Sequence, residues 1–319
     1  ADCQEAWRQA VGLPGEMWPS SAQRWARGLA RRSTLQGVGV CAAGALAVAG
    51  ACGASRATAN SIGCSSPPSA KALTVEQVRD SKKAQQWVEL NAKKCESCLV
   101  NTDTQEWIET AAPGVYRKLI ERLGGEVARA TTIVHFDGSM TFPMHTHGGG
   151  EEFLVLEGAW YDEWATQPKH TYVRNYIGSR HRPAIGKGGC TIMVKLRQMA
   201  HEHHEPEHTQ WDVSPANPCW KPSGAPGCQV LAVYSSPFEE VHFERWEPGM
   251  SNIVEVPVNG SETFVMEGAF NDELGQHRTW SWAREATAGV RRHRLVSPQG
   301  CLLYVKSGHL ASPEVGVGE

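Results

Sequence analysis

The chain has 319 residues, enough for two domains with additional segments. Its formal net charge of −3 argues against nucleic acid as a main partner. With 32 glycines, 18 prolines and few helix-period runs, it predicts an all-β fold of short strands joined by turns.

Residues 1–65 read as a targeting leader and are set apart from the fold. Residues 17–75 hold no Asp or Glu. They carry Arg24, Arg27, Arg31, Arg32 and Arg56, an Ala/Gly run from Gly37 to Ala51, and the small-residue site Ala57-Thr-Ala59. Arg31-Arg32-Ser33-Thr34-Leu35 resembles a twin-arginine export signal, and the acid-free, Arg- and Ser-rich composition equally fits an organellar transit peptide. The expected location is exported or organellar; a disordered tail is the alternative. The apolar run is too short and too rich in Ala and Gly for a stable membrane span. Met17 is a candidate start.

Residues 66–105 are expected to form a linker. It contains a lone Cys95-Glu-Ser-Cys98, read as a surface turn in preference to a metal or redox pair. Of the ten cysteines, Cys3, Cys41, Cys52 and Cys64 fall in or near the leader. Cys219 and Cys228 share a Pro/Gly-rich loop and can pair in an oxidising compartment.

Residues 106–200 carry the chemistry. In Gly138-Ser-Met-Thr-Phe-Pro-Met-His145-Thr-His147-Gly-Gly-Gly-Glu151, the two histidines are two residues apart, so on a strand they share a face. Three glycines then lead to Glu151, expected as a hairpin that brings a carboxylate to the imidazoles. His181, closing Gly178-Ser-Arg-His181, supplies a third imidazole. His145, His147, Glu151 and His181 make a compact N/O donor set for one divalent metal ion: Zn or Fe first, with Mn, Ni and Cu also suited. Met140, Phe142, Phe153, Trp160 and Tyr161 are expected as barrel core, Glu152 as an outward residue, and Arg174 as a partner of Asp162 or Glu163.

Residues 201–228 are expected to be a solvated His/Pro-rich linker, beginning His201-Glu-His203-His204-Glu-Pro-Glu-His208. Residues 229–311 then repeat the first unit about 110 residues later. Glu157-Gly-Ala-Trp-Tyr-Asp-Glu163 returns as Glu267-Gly-Ala-Phe-Asn-Asp-Glu273, and Gly189-Cys190 returns as Gly300-Cys301. Each copy is near the length of a small jelly roll. In the second copy Val256-Pro-Val258 is expected where His145-Thr-His147 stood, Glu262 opposite Glu151, and His293 near the slot of His181. That barrel is expected to serve packing, an interface or a cap, with a residual binding pocket as the alternative.

The spacing from His145 through Gly158, with Gly178 and His181, resembles a cupin; the duplication implies a bicupin, two tandem jelly-roll barrels. Tyr176 stands where the family usually has proline and Ile185 where it has asparagine. Gly-Gly-Glu151-Glu, Leu-Glu-Gly158-Ala-Trp-Tyr, Tyr172-Val-Arg174-Asn175 and Gly189-Cys190-Thr-Ile-Met-Val-Lys195 resemble more narrowly the ChrR-type cupin of zinc-binding anti-sigma factors. Their sigma-binding His-x-x-x-Cys-x-x-Cys is reduced here to Cys95 and Cys98, with Asn91 in place of the histidine, so that role is not carried over. The resemblance implies one bound metal and two open functions. One is a metal-dependent dioxygenase or related oxidoreductase acting on a small chelating organic molecule. The other is a non-catalytic zinc-binding cupin with a sensing or interaction role. Homodimerisation through sheet edges is a further expectation by analogy.

Overall fold

The computed structural model describes residues 87–125 and 127–311, whose regular structure is almost entirely strand. The expected leader and its four cysteines lie outside the described residues. Two antiparallel sheets carry the two repeats, each with seven strands in a continuous order and two more paired beside it. The first runs Val88–Leu90, Val115–Gly124, Ala128–Phe136, Ala184–Leu196, Glu151–Tyr161, Thr171–Asn175, His208–Asp212. The second runs Lys221–Pro222, Cys228–Ser235, Glu240–Trp246, Arg291–Ser307, Ser261–Asp272, Trp282–Glu285, Cys98–Val100. Among the described residues no helix is long and apolar enough to cross a membrane.

The central strands explain why the apolar runs are continuous. Phe153, Leu154, Val155 and Leu156 are all buried, although alternate residues face opposite sides. Phe153 and Val155 point into the first barrel with Trp160, Val173, Ile192 and Val194. Leu154 and Leu156 point the other way, into a cluster shared between the repeats with Tyr172, Met193, Phe243, Phe264, Trp282 and Tyr304. Each sheet thus buries one face in its own barrel and the other against its twin.

The segments expected as linkers are partly structural. Cys98–Val100, ahead of the first repeat, pairs with Trp282–Glu285 of the second. His208–Asp212, ahead of the second repeat, pairs with Thr171–Asn175 of the first. Each repeat lends its leading strand to the other's sheet. Strands of three and five residues carry too little periodicity to stand out beside histidines and prolines.

Ion pairs cross the shared core in the same reciprocal way. Lys306 of the second repeat lies 2.7 Å from Glu152 of the first, and Lys195 of the first lies 2.5 Å from Glu262 of the second. Tyr172 and Tyr304 donate to Glu152 as well. Glu152 does face away from Glu151, but it is 2% exposed, not outward. Arg174, expected on Asp162 or Glu163, instead pairs with Glu152 at 2.7 Å and with Glu205 at 2.8 Å. Glu205 belongs to the tract expected to be solvated and is buried. Cys190 and Cys301 are buried thiols at matching positions, where cysteine packs as a small hydrophobe. Cys219 and Cys228 form no disulfide with each other. Cys95 is disulfide-bonded while Cys98 is free, so that motif does not close on itself.

Two outcomes test this core. Lys306→Met leaves the buried Glu152 and Glu239 sharing Arg174 and is expected to lower unfolding free energy by about 3–5 kcal/mol in denaturant titration. Burial pushes the Glu152 carboxyl up, but Lys306, Arg174 and Lys195 outweigh it and hold the group at about 2, against 4.5 for an ordinary glutamate. Glu244 is likewise held at about 2, its burial outweighed by His242 and Arg294. The unfolded chain therefore takes up these protons first. Their stabilisation is complete above 4.5 and is lost as pH falls toward about 2, which acid-unfolding curves will show.

Candidate metal centre

His145 and His181 face one another on a two-stranded ribbon, His145–Thr146 against Arg180–His181. The ribbon continues through His147, whose N–H donates to Ser179 O and whose carbonyl accepts from Gly178 N–H. Glu151 is not reached by a hairpin. It opens a strand of the large sheet, opposite Asn175, and the three glycines carry the chain from the ribbon to that sheet. Gly150 has φ +77°, and a Cβ there would lie 2.4 Å from Met199 Sδ, so the crossing needs glycine.

The four side chains expected as ligands come together. One nitrogen of each of His145, His147 and His181 lies within 4.8 Å of the others. Glu151 Oε2 stands 3.6 Å from His147 Nδ1 and 3.7 Å from His181 Nε2. His147, His181 and Glu151 are buried, whereas His145 is exposed and marks the open side.

The tautomers follow from the partners. His145 Nδ1 lies 3.1 Å from Pro143 O, and a carbonyl only accepts, so Nδ1 carries the proton. His181 Nδ1 lies 3.2 Å from Asp162 Oδ2 and donates to it. Burial would raise the Asp162 carboxyl, but bonds from His181, Gln167 and the N–H groups of Trp164 and Ala165 bring it below the usual range, so it is an ionised acceptor. Both Nε2 atoms then present lone pairs, only 3.2 Å apart. Two acceptors facing at that distance repel unless a cation sits beside them. Metal–nitrogen bonds of about 2.0–2.1 Å place neighbouring ligand atoms about 3.0–3.4 Å apart. The buried His147 Nε2 has no hydrogen-bond partner. Burial, only partly offset by Glu151, pushes His147 below the usual imidazole range, favouring the neutral form that binds metals. The donor set fits a divalent ion.

The supporting residues were missed in the sequence. Asp162 orients His181, and Asn175 Nδ2 donates to Glu151 Oε2 at 3.0 Å. Asn175 Oδ1 in turn meets His208 Nδ1 at 2.7 Å. The one available signal was the recurrence of Asp162 as Asp272. Met140 and Phe142 pack against the barrel core and Phe153 and Trp160 lie within it, but Tyr161 is exposed.

The second repeat differs from expectation in register. Val254 pairs with Arg292 as His145 pairs with His181. Val256 donates to Val290 O as His147 donates to Ser179 O. Ser261, opposite Glu285, takes the place of Glu151, opposite Asn175; Glu262 is the counterpart of Glu152. Single-residue length changes on either side of the histidine motif hid this from the sequence alignment. His293 bonds Ser251 Oγ and lies on the face opposite to Arg292. No second cluster of potential metal ligands occurs among the described residues.

Metal titration of variants checks these assignments. His147→Ala is expected to abolish binding and His293→Ala to leave it intact. Asp162→Asn is expected to weaken affinity by about 10–100-fold.

Comparisons agree with the geometry at the level of fold. Bacterial pirin YhhW from Escherichia coli, solved with nickel(II), is 11% identical with a TM-score of 0.51, covering 67% of this chain and 99% of its own. Protein Ylba from E. coli is 13% identical at TM-score 0.50, with 72% and 97% covered. A proposed dioxygenase of Nostoc punctiforme is 13% identical at 0.50, with 69% and 85% covered. No curated protein matches the chain significantly. The model of the ChrR cupin-like domain matches residues 96–200 and again 201–311, so the chain belongs to the ChrR cupin-like family as a tandem pair of cupin domains.

Proposed function

We propose that the first repeat is a metal-dependent dioxygenase or related oxidoreductase centre acting on a small organic molecule. The observation that carries this is the pair of facing Nε2 lone pairs on His145 and His181, beside the partnerless Nε2 of His147 and open to solvent at His145. His145, His147 and His181 would hold the ion with Glu151 as a fourth donor; iron would supply electrons for O2, and zinc a Lewis acid. The protein's own residues do the rest. Asp162 holds the His181 proton on Nδ1, and Asn175 aims Glu151. Phe153, Val155 and Trp160 fill the barrel behind the site and exclude water there. A substrate must therefore enter from the His145 side, the exposed one.

The packed interior also favours a second reading, a zinc-binding cupin with a sensing or interaction role, because a filled barrel leaves little depth for substrate. Elemental analysis of untagged protein, paired with O2 uptake after anaerobic reconstitution with Fe(II), tests both. The substrate panel would be β-diketones, thiols and flavonols. Substrate-dependent uptake with iron supports the dioxygenase. Tightly held zinc without uptake supports the second reading.

A further inference from the structure

The surroundings of the metal centre reach into the neighbouring repeat. Glu151 Oε2 accepts from Asn175 Nδ2 at 3.0 Å, and Asn175 Oδ1 lies 2.7 Å from His208 Nδ1. A carbonyl oxygen only accepts, so His208 Nδ1 carries the proton and donates it. Asn175 is 2% exposed, and among the described residues its side chain has no other partner. The two ends of an amide are nearly equal in shape, so its contacts decide which end faces the carboxylate. Turned over, Asn175 would set its oxygen against Glu151 and its nitrogen against the His208 N–H. The His208 proton therefore selects the orientation in which Glu151 is held.

His208 is itself fixed from several sides. Strand pairing sets it opposite Asn175. Trp164 stacks on its ring, with centroids 5.0 Å and planes 4° apart. Its Nε2 meets the end of Gln210 at 3.3 Å, Gln210 meets Gln167 at 3.4 Å, and Gln167 donates to Asp162 at 3.1 Å. Asp162 accepts from His181. The side chains thus close a loop from one candidate ligand, Glu151, round to another, His181. His208 and Gln210 are two residues apart and share one face of their strand.

The second repeat serves as an internal comparison. Its four ligand places are held by Val254, Val256, Ser261 and Arg292, which line a cavity of 780 Å³. Ala283, opposite Thr263, stands where Val173 stands opposite Phe153. Leu99 pairs with Ala283 as Gln210 pairs with Val173, and a leucine side chain neither donates nor accepts. Ser97, one residue ahead of that strand, falls at the place of His208, and its hydroxyl accepts from Ala286 N–H at 2.9 Å. Glu285 replaces Asn175 and bonds Arg292. Within one chain, the loop is present beside the ligand set and absent where the set is absent.

We infer that His208 is a positioning residue of the metal centre: its Nδ1–H orients Asn175, which aims Glu151 at the ion. The centre of the first repeat is then completed by a strand from residues 201–311, the second cupin match. The inference rests on the metal reading of the first repeat and not on the reaction assigned to it.

Cobalt(II) titration of the full chain, read by the visible absorption of the bound ion above a His147→Ala background, tests it. His208→Phe keeps a ring against Trp164 and removes the donor. It is expected to weaken cobalt binding by about tenfold or more, and to change the absorption spectrum as Glu151 is released. His208→Asn keeps an amide N–H near the place of Nδ1 and is expected to recover most of the affinity. Because His208 acts through Asn175, His208→Phe should add nothing to the loss caused by Asn175→Ala. Unchanged affinity in His208→Phe, no recovery in His208→Asn, or losses that add in the double variant would each overturn the inference while the metal reading stands. Absence of cobalt binding by the unaltered chain would overturn both.

Discussion

Two buried ion pairs, Lys306 with Glu152 and Lys195 with Glu262, set the arrangement of everything else. Each joins one repeat to the other, and each is almost wholly removed from water. Desolvating such charges is costly, and only good geometry with further hydrogen bonds offsets it. Tyr172, Tyr304, Arg174 and Thr131 supply those bonds. A one-residue slip of the strand Glu151–Tyr161 would turn Glu152 into the barrel and Phe153 toward the lysines. The register that avoids this also points Glu151 at the histidines. The same constraint that docks the repeats thus aims a candidate metal ligand.

With one face of each sheet committed to its twin, the barrel interiors are where the repeats could diverge. The first interior stays apolar and full around Phe153 and Trp160, and its chemistry is confined to the mouth. The second has Thr263 in place of Phe153 and Ala283 in place of Val173, and a hollow results. Arg292 and Glu285 form a bidentate pair where His181 and Asn175 stand in the candidate metal centre. A guanidinium–carboxylate pair keeps the site's charges satisfied after the imidazoles and the Glu151 carboxylate are gone.

Much of this was legible in the sequence. His145 and His147 stood out by the strand period of two, Glu151 through an expected hairpin that the fold replaces with a crossing between sheets, and His181 through Gly178-Ser-Arg-His181; the structure brings the four side chains together. The all-β class and the duplication followed from the turn residues and the 110-residue offset. What stayed hidden was long-range. Glu152 and Arg174 look like surface charges until the partner repeat supplies Lys306 and Glu205. The leading strands Cys98–Val100 and His208–Asp212 are too short to carry a pattern. The true counterparts in the second repeat were masked by single-residue length changes, which only strand pairing resolves. The hollow depends on volumes at Thr263 and Ala283, and volume has no periodic signature.

The central claim is that one repeat holds a metal and its twin does not. Anomalous diffraction recorded at the absorption edges of iron and zinc, from crystals of the full chain, addresses it directly. The account predicts a single strong peak among His145, His147, His181 and Glu151, with none in the barrel of Arg292 and Arg294. A peak in the second barrel, or no peak in the first after loading with either metal, would contradict it.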